Sequence, residues 1–323
     1  MPMIQYREVS FRPAALQVIE QARDIADEIA RGGDSLSLRQ LYYQFVARGL
    51  LANKDTEYKR LGSIINDARY AGLFDWASIT DRTRNVAGGD GEDTDPREVV
   101  KELYFYAPIW EGQKERVEVW VEKDALKDVV SRAADPLRTP YFSCRGYTSA
   151  SEVWAAAQRI EGYLDTDDVE HVTILHLGDH DPSGIDMTRD ITERLELFLD
   201  GDGYDYNALE IKRIALNMDQ VRQFALPENP AKITDSRARD YIRRYGQSSW
   251  ELDALPPRVL RQLITDHIKP LIDDEQWKAR IKFQTEAQAT LDAFGEHYDE
   301  IQRFLIDEGF VEAETELDEE DPD

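Results

Sequence analysis

The segment at residues 171–187, HVTILHLGDHDPSGIDM, admits few folds. Its apolar run at 172–177, rich in β-branched residues and leucine, reads as a buried strand. Gly178 breaks that run, and Pro182 with Gly184 turns the chain into a helix starting near Ile185. Asp179 and Asp181, two positions apart on extended backbone, project to one side, where both can offer oxygens to one hard cation. His180 points the other way. A strand-loop-helix unit carries these acids where α/β sheets usually bind ligands, although the loop taken alone is equally consistent with ordinary Asp-rich turn chemistry.

A second stretch changes the balance. Residues 116–121, RVEVWV, form another strand-like run that ends in Glu122-Lys123-Asp124 ahead of a helical pattern at 125–133. In a parallel sheet, Glu122 would converge on the edge that carries Asp179 and Asp181. The three carboxylates would then make a magnesium cradle.

VEKD, a glycine-bearing segment and LGDHDPSG, in that order, resemble the Toprim domain, the magnesium-dependent module of topoisomerases, primases and some nucleases. They are most similar to the version found in the topoisomerase VI A family and in the related transesterase that makes meiotic double-strand breaks. The resemblance implies an α/β, Rossmann-like and mainly parallel Toprim sheet preceded by an α-helical winged-helix domain. It makes Glu122 the Toprim glutamate, and Asp179 and Asp181 the metal-binding aspartates for Mg2+. It runs over about residues 36–270 and is most specific at the two acid motifs.

The whole chain sets outer bounds. Its 323 residues suggest two domains. The single Cys144 excludes an internal disulfide and a cysteine-built zinc site, and the histidines at 171, 176, 180, 267 and 297 have no metalloprotease spacing. No run approaches a membrane span, and the amino terminus lacks a signal-peptide layout, so the expectation is a cytoplasmic protein, prokaryotic or phage-encoded and nucleoid-associated. The net charge of -26 runs against DNA binding. Its distribution is uneven: residues 307–323 carry ten acids and no Lys or Arg, whereas residues 1–89 hold 12 Lys plus Arg against 11 Asp plus Glu. The expected division is a winged-helix-like DNA-binding domain at 1–89, a Toprim domain with a C-terminal helical extension at 90–306, and a disordered acidic tail at 307–323.

Three helices are expected in the first part. One covers 13–30; a second starts near Ser35 or Ser37 and stops at Gly49; a third follows Thr56 and stops near Gly72, with an extended segment at 74–80 after it. Such an order suits a helix-turn-helix of the winged sort whose third helix reads DNA. Lys59, Arg60 and Arg69 on that helix, with Arg82 and Arg84 beyond it, suit phosphate contacts; interspersed Glu57 and Asp67 suit a plain solvated face as well.

In the second helix, Leu38, Leu41, Tyr42, Phe45 and Val46 share one face, which places Tyr42 in the core. Tyr43, about 100° around, can project outward. Residues 38–43, LRQLYY, are similar to the Arg-x-x-Tyr-Tyr segment of the topoisomerase VI A family, which implies that Tyr43 is the nucleophile and that Arg39 neutralises phosphate charge. The alternative is a tyrosine that anchors the helix.

Further along, residues 85–98 read as a linker, and 99–108 as a short amphipathic helix. Strands are expected at 141–144 and 209–216, and helices at 258–305. Arg145, in a glycine-bearing loop, would face the carboxylate edge. Cys144 reads as a packing residue. Lys232 and Arg237 are candidate DNA-backbone contacts, and Glu251 and Asp253 candidate further acids, with a structural role the safer assignment for all four.

The expected function is magnesium-dependent DNA strand cleavage by tyrosine transesterification, with Asp179 and Asp181 on the ion and Glu122 completing the shell or moving a proton. The partners would be double-stranded DNA and a second copy of the chain, Tyr43 of one protomer serving the metal site of the other; with no P-loop motif present, any ATPase partner would be a separate chain. Two alternatives stand beside this reading: a Toprim nuclease that activates water, and a non-catalytic DNA-binding protein.

Overall fold

The computed structural model describes residues 3–32, 36–79, 95–166, 168–231 and 237–311. The chain divides into two compact units, one of Met1–Asn85 with Gly112–Ile272, the other of Val86–Glu111 with Asp273–Asp323.

In the first unit, α1 (Pro13–Ala30), α2 (Leu38–Ala47) and α3 (Asp55–Tyr70) pack on one another. The capping box that starts α2 is reciprocal: Ser37 Oγ accepts from the Gln40 N–H at 3.2 Å, and Gln40 Oε1 from the Ser37 N–H at 2.9 Å. After α3 the chain is not extended as expected: residues Trp76–Ser78 form a single 3₁₀ turn, capped by the Asp75 carboxylate, before Ile79 bridges to Leu36. Such local capping gives the backbone an alternative to a strand.

The short α4 (Pro96–Glu102) begins inside the expected linker and belongs to the second unit. It packs there along the long α11 (Asp274–Glu296), with α12 (Tyr298–Asp307) following. Gln284 Oε1 accepts from the Ala107 N–H at 3.2 Å, and Gln288 Oε1 from the Phe105 N–H at 2.8 Å. These amides satisfy the backbone of residues 103–107, which follow α4 as coil where the sequence suggested more helix. The acidic stretch at 312–323 lies outside the described residues.

The core of the first unit is a parallel sheet of β1 (Glu115–Val121), β2 (Tyr141–Ser143), β3 (His171–Leu177) and β4 (Leu209–Ala215), in the order β2-β1-β3-β4. It is a mixed α/β architecture. On one face Trp120, Val172 and Ile174 join Val153, Ala157 and Ile160 of α6 (Ala150–Leu164) and Ile191 and Leu195 of α7 (Pro182–Asp202) in one buried cluster. Glu118 on that face is buried but satisfied, by Arg159 at 2.6 and 2.8 Å and by the Trp120 indole N–H at 2.9 Å. The other face meets α5 (Lys127–Ala134) and α10 (Pro257–Ile268). Between β4 and α10 run α8 (Met218–Gln223), a two-residue ladder of β5 (Asn229–Pro230) with β6 (Ser248–Ser249), and α9 (Ala238–Tyr245).

The strand order fixes where a ligand can sit. From β1 the chain passes through α5 to β2 on one side, then crosses back through α6 to β3 on the other. The crevice at such a reversal lies beyond the carboxyl ends of β1 and β3.

Candidate active site at the carboxyl edge of the sheet

Because Val121 pairs with Leu177, the residues that follow the two strands emerge side by side. The Glu122 N–H donates to the Leu177 carbonyl at 2.8 Å, and the Asp179 N–H donates to Glu122 Oε2, also at 2.8 Å. Asp181 caps α7, its Oδ1 accepting from the Gly184 N–H at 2.6 Å and the Ser183 hydroxyl at 3.0 Å. Glu122, Asp179 and Asp181 thus occupy adjacent strand ends. Each has one oxygen fixed by a donor; among the described residues Glu122 Oε1, Asp179 Oδ2 and Asp181 Oδ2 take no hydrogen bond. No three His, Cys, Asp or Glu side chains among the described residues are arranged as a metal-ligand group.

The cation among these carboxylates is the chain's own. Lys123 Nζ lies 2.8 Å from Asp179 Oδ1, 3.0 Å from Glu251 Oε2 and 2.8 Å from Asp253 Oδ2. Burial opposes its charge, yet Asp253, Asp179 and Glu251 together raise its pKa well above the ordinary lysine value. Glu122 forms no ion pair among the described residues: burial first, then Asp179 and Asp181, outweigh Lys123 and the Asp179 N–H and push it up to about 7. Hard carboxylate oxygens suit a divalent cation by their chemistry, and one would relieve the part of the shift that comes from Asp179 and Asp181.

Behind the acids lies Arg213 of β4. Its guanidinium donates to the carbonyls of Gly178 at 2.9 Å, Asp179 at 2.6 Å and Gly184 at 2.9 Å, and to Thr188 Oγ1 at 3.0 Å. The loop is thereby clamped from beneath, and burial brings Arg213 down to about 10. The glycines fit the same crowding: a Cβ on Gly184 would stand 2.2 Å from the Asp179 carbonyl oxygen, and one on Gly178 3.0 Å from Glu122 Oε2. His180 turns away as expected, its ring edge-on to Tyr245 at 4.6 Å and its Nδ1 2.9 Å from the Tyr241 hydroxyl.

Tyr43 does not project outward. It is 3% exposed, because the segment 228–230 and Glu251 cover the side of α2 that isolated helical geometry leaves open. Its hydroxyl takes a hydrogen bond from Asn229 Nδ2 at 3.4 Å, and Arg39 and Glu251 share its cavity. It faces a cavity of about 200 Å³ lined by Arg39, Asn53, Tyr58, Asn229 and Glu251. Burial above all, with the Glu251 carboxylate, raises Tyr43 well above the ordinary phenol value. Arg39 pairs with Glu251 at 3.1 Å, so Glu251, in the cavity before the tyrosine, joins Arg39 to Lys123 and through it to Asp179. Tyr42 is a core residue, as its spacing indicated, with its hydroxyl at the carbonyls of Ala52 and Lys54.

The remaining candidates separate. Lys59 and Arg60 lie on exposed α3, paired with Asp55 at 2.7 Å and Glu57 at 3.0 Å. Arg69 is not a free surface cation: it folds over the Trp76 ring and donates to the Trp76 and Ile79 carbonyls, the acceptors created by the 3₁₀ turn. Arg145 pairs with Asp124 at 3.3 Å and shares a cleft of about 350 Å³ with Arg39, Glu122, Lys123 and Asp253. Arg237 pairs with Asp186 at 2.7 Å and covers the Tyr147 ring. Lys232, Arg82 and Arg84 lie outside the described residues. Cys144 is buried, which raises its thiol to about 11. Sequence patterns assign no role to Lys123 or Arg213, and make Glu251 and Asp253 candidate further acids with a structural role the safer assignment. Lys123 does carry a signal, being flanked by acids at a strand end; Arg213 carries none.

Among the described residues no helix is long and apolar enough to cross a membrane. Comparison with protein-family models, with curated proteins and with solved structures finds no match.

Proposed function

We propose that this chain cleaves DNA strands in a magnesium-dependent transesterification, as a Toprim protein with a winged-helix-like amino-terminal part, similar to the topoisomerase VI A family. One observation supports the reading above others: Tyr43 shares a cavity with Arg39 and Glu251, and from there Glu251, Lys123 and Asp179 form a continuous run of ion pairs to the acid cluster. A phosphodiester in the cavity before Tyr43 would meet the Arg39 guanidinium, a planar donor set that matches phosphate oxygens. The Tyr43 hydroxyl would give up its proton as its oxygen bonds to phosphorus, one P–O bond to deoxyribose would break, and the departing sugar oxygen would take up a proton, so that protons balance. The chain would remain attached to the strand through phosphotyrosine. Glu122, near pKa 7, suits the movement of that proton. Glu122, Asp179 and Asp181 would hold Mg2+, which supplies charge neutralisation at the phosphate. Double-stranded DNA, a second copy of the chain and a separate ATPase chain belong to the same proposal.

Burial of Tyr43 favours a second reading, in which the acid site activates water and the protein is a nuclease. Supercoiled plasmid with Mg2+ separates the two. Under the first reading, strand ends carry covalently trapped protein, and both Tyr43→Phe and Asp179→Ala abolish nicking. Nicking that survives Tyr43→Phe but not Asp179→Ala leaves hydrolysis, and no magnesium-dependent nicking by the wild type sinks both.

A further inference from the structure

Helices α7 and α9 present facing stripes to one another. From α7 come Pro182, Ile185, Asp186 and Arg189, spaced i, i+3, i+4, i+7, and from α9 with its cap Arg237 come Tyr241, Arg244 and Tyr245, at i+4, i+7 and i+8 from the cap, so each set lies on one helix face. They enclose a groove of about 510 Å³, within the size range of small-ligand sites. Its charge is opposite to that of the chain, whose net value is -26. Three arginines and two acids line it: Asp186 is shared by Arg189, Arg237 and the Tyr147 hydroxyl, each at 2.7 Å, Arg189 also meets Glu193, and Asp240 pairs with Arg243 at 3.2 Å. Arg244 is exposed and has no ion-pair or hydrogen-bond partner among the described residues.

We propose that this groove binds a nucleotide unit of a DNA strand, with phosphate at Arg244 and Arg237 and the base against Tyr245. Guanidinium groups beside aromatic rings supply the two contacts that such a unit offers, a charge-assisted hydrogen bond to phosphate and a ring face for stacking. A strand is favoured over a free nucleotide by where the groove lies. Pro182, the residue next in the chain after Asp181, lines the groove, so the groove borders the acid loop. Binding of this kind needs no strand cleavage and holds whichever chemistry the acid site performs.

The experiment is therefore run in EDTA, with the full chain and a fluorescently labelled single-stranded oligonucleotide, by anisotropy across a salt series. Arg244→Ala is expected to weaken binding and to lower the salt slope by about one. Tyr245→Ala is expected to weaken binding by at least about five-fold. Arg222→Ala, at an exposed position on α8 outside the groove, is expected to bind as the wild type does. Wild-type affinity and slope in Arg244→Ala would overturn the assignment, as would an equal loss in Arg222→Ala, which signals diffuse charge. Displacement of the oligonucleotide by equimolar dAMP would overturn it in favour of a mononucleotide site.

Discussion

Lys123 Nζ and Asp179 Oδ1 stand 2.8 Å apart at the carboxyl edge of the sheet, and Asp253 Oδ2 lies at the same distance from that ammonium. Asp179 is 8% exposed and Asp253 2% exposed, so neither can replace this partner with bulk water. Removing one member of a buried ion pair leaves uncompensated charge and costs about 3–5 kcal/mol. Lys123→Met is accordingly expected to destabilise the fold by about 3 kcal/mol at pH 7. Urea titrations at pH 7 and pH 4.5 check this, and the loss should shrink at the lower pH as carboxylates take up protons.

Glu122 makes the opposite contribution to pH dependence. Its pKa rises from 4.5 to about 7 on folding, through burial and then the charges of Asp179 and Asp181. The folded state therefore binds more protons than the unfolded state between those values. Stability is fully present below pH 4.5 and declines as pH rises through 7, by about 3 kcal/mol for a shift of this size at about 1.4 kcal/mol per unit. Asp179 is shifted in the same direction, by burial first, so Glu122→Gln should flatten the slope without abolishing it. Differential scanning fluorimetry from pH 4.5 to 7.5 reads both curves. Bound Mg2+ at pH 7 should raise the wild-type melting temperature more than that of Glu122→Gln, because the ion neutralises the repulsion that the glutamine lacks.

The two acid-bearing loops are legible in the sequence because hydrophobic runs of strand length end in carboxylates, and the parallel register Val121↔Leu177 then puts those carboxylates side by side. Tyr43 is misplaced by the same local logic. Helical geometry gives the direction of a side chain from its own axis but not what comes to cover it, and residues 228–230 and 251, nearly two hundred positions away in the chain, close over the phenol. Arg213 is invisible in the sequence because its partners are backbone carbonyls, which every residue has. Glu251 and Asp253 sit beside Lys123 through a contact spanning 128 and 130 positions, which no local pattern encodes.

Backbone crowding in the acid loop gives a test that involves no charge. A methyl group at Gly184 would meet the Asp179 carbonyl oxygen at 2.2 Å, and backbone cannot yield as a flexible side chain can. Gly184→Ala should cost about 1–3 kcal/mol from overpacking. Gly162, exposed within α6 with nothing inside 4 Å of a Cβ, is the control. Gly162→Ala should stabilise by about 0.4–1 kcal/mol, chiefly by restricting the unfolded chain. Urea midpoints that move the same way in both variants would contradict the close approach at Gly184.

Arg69 and Lys59 lie on the same helix, and both look like phosphate ligands in the sequence, yet they should respond to alanine in opposite assays. Arg69 is half-buried over Trp76 and donates to two carbonyls of the turn that follows α3, so its removal leaves those carbonyls short of a donor and strips packing from the ring. Arg69→Ala should therefore lose about 1–3 kcal/mol of stability, from hydrogen bonds given by a charged donor, one of them part-buried, and from lost packing on the ring. Lys59 is exposed and paired only with Asp55 one turn away, an arrangement that solvent screens. Lys59→Ala should melt as the wild type does and, if α3 lies along a duplex, should weaken duplex binding with a smaller salt slope. Urea melts and anisotropy on one duplex, measured for both variants, distinguish a fold-holding arginine from a phosphate-facing lysine, and an Arg69→Ala protein of wild-type stability would contradict the inward placement of that side chain.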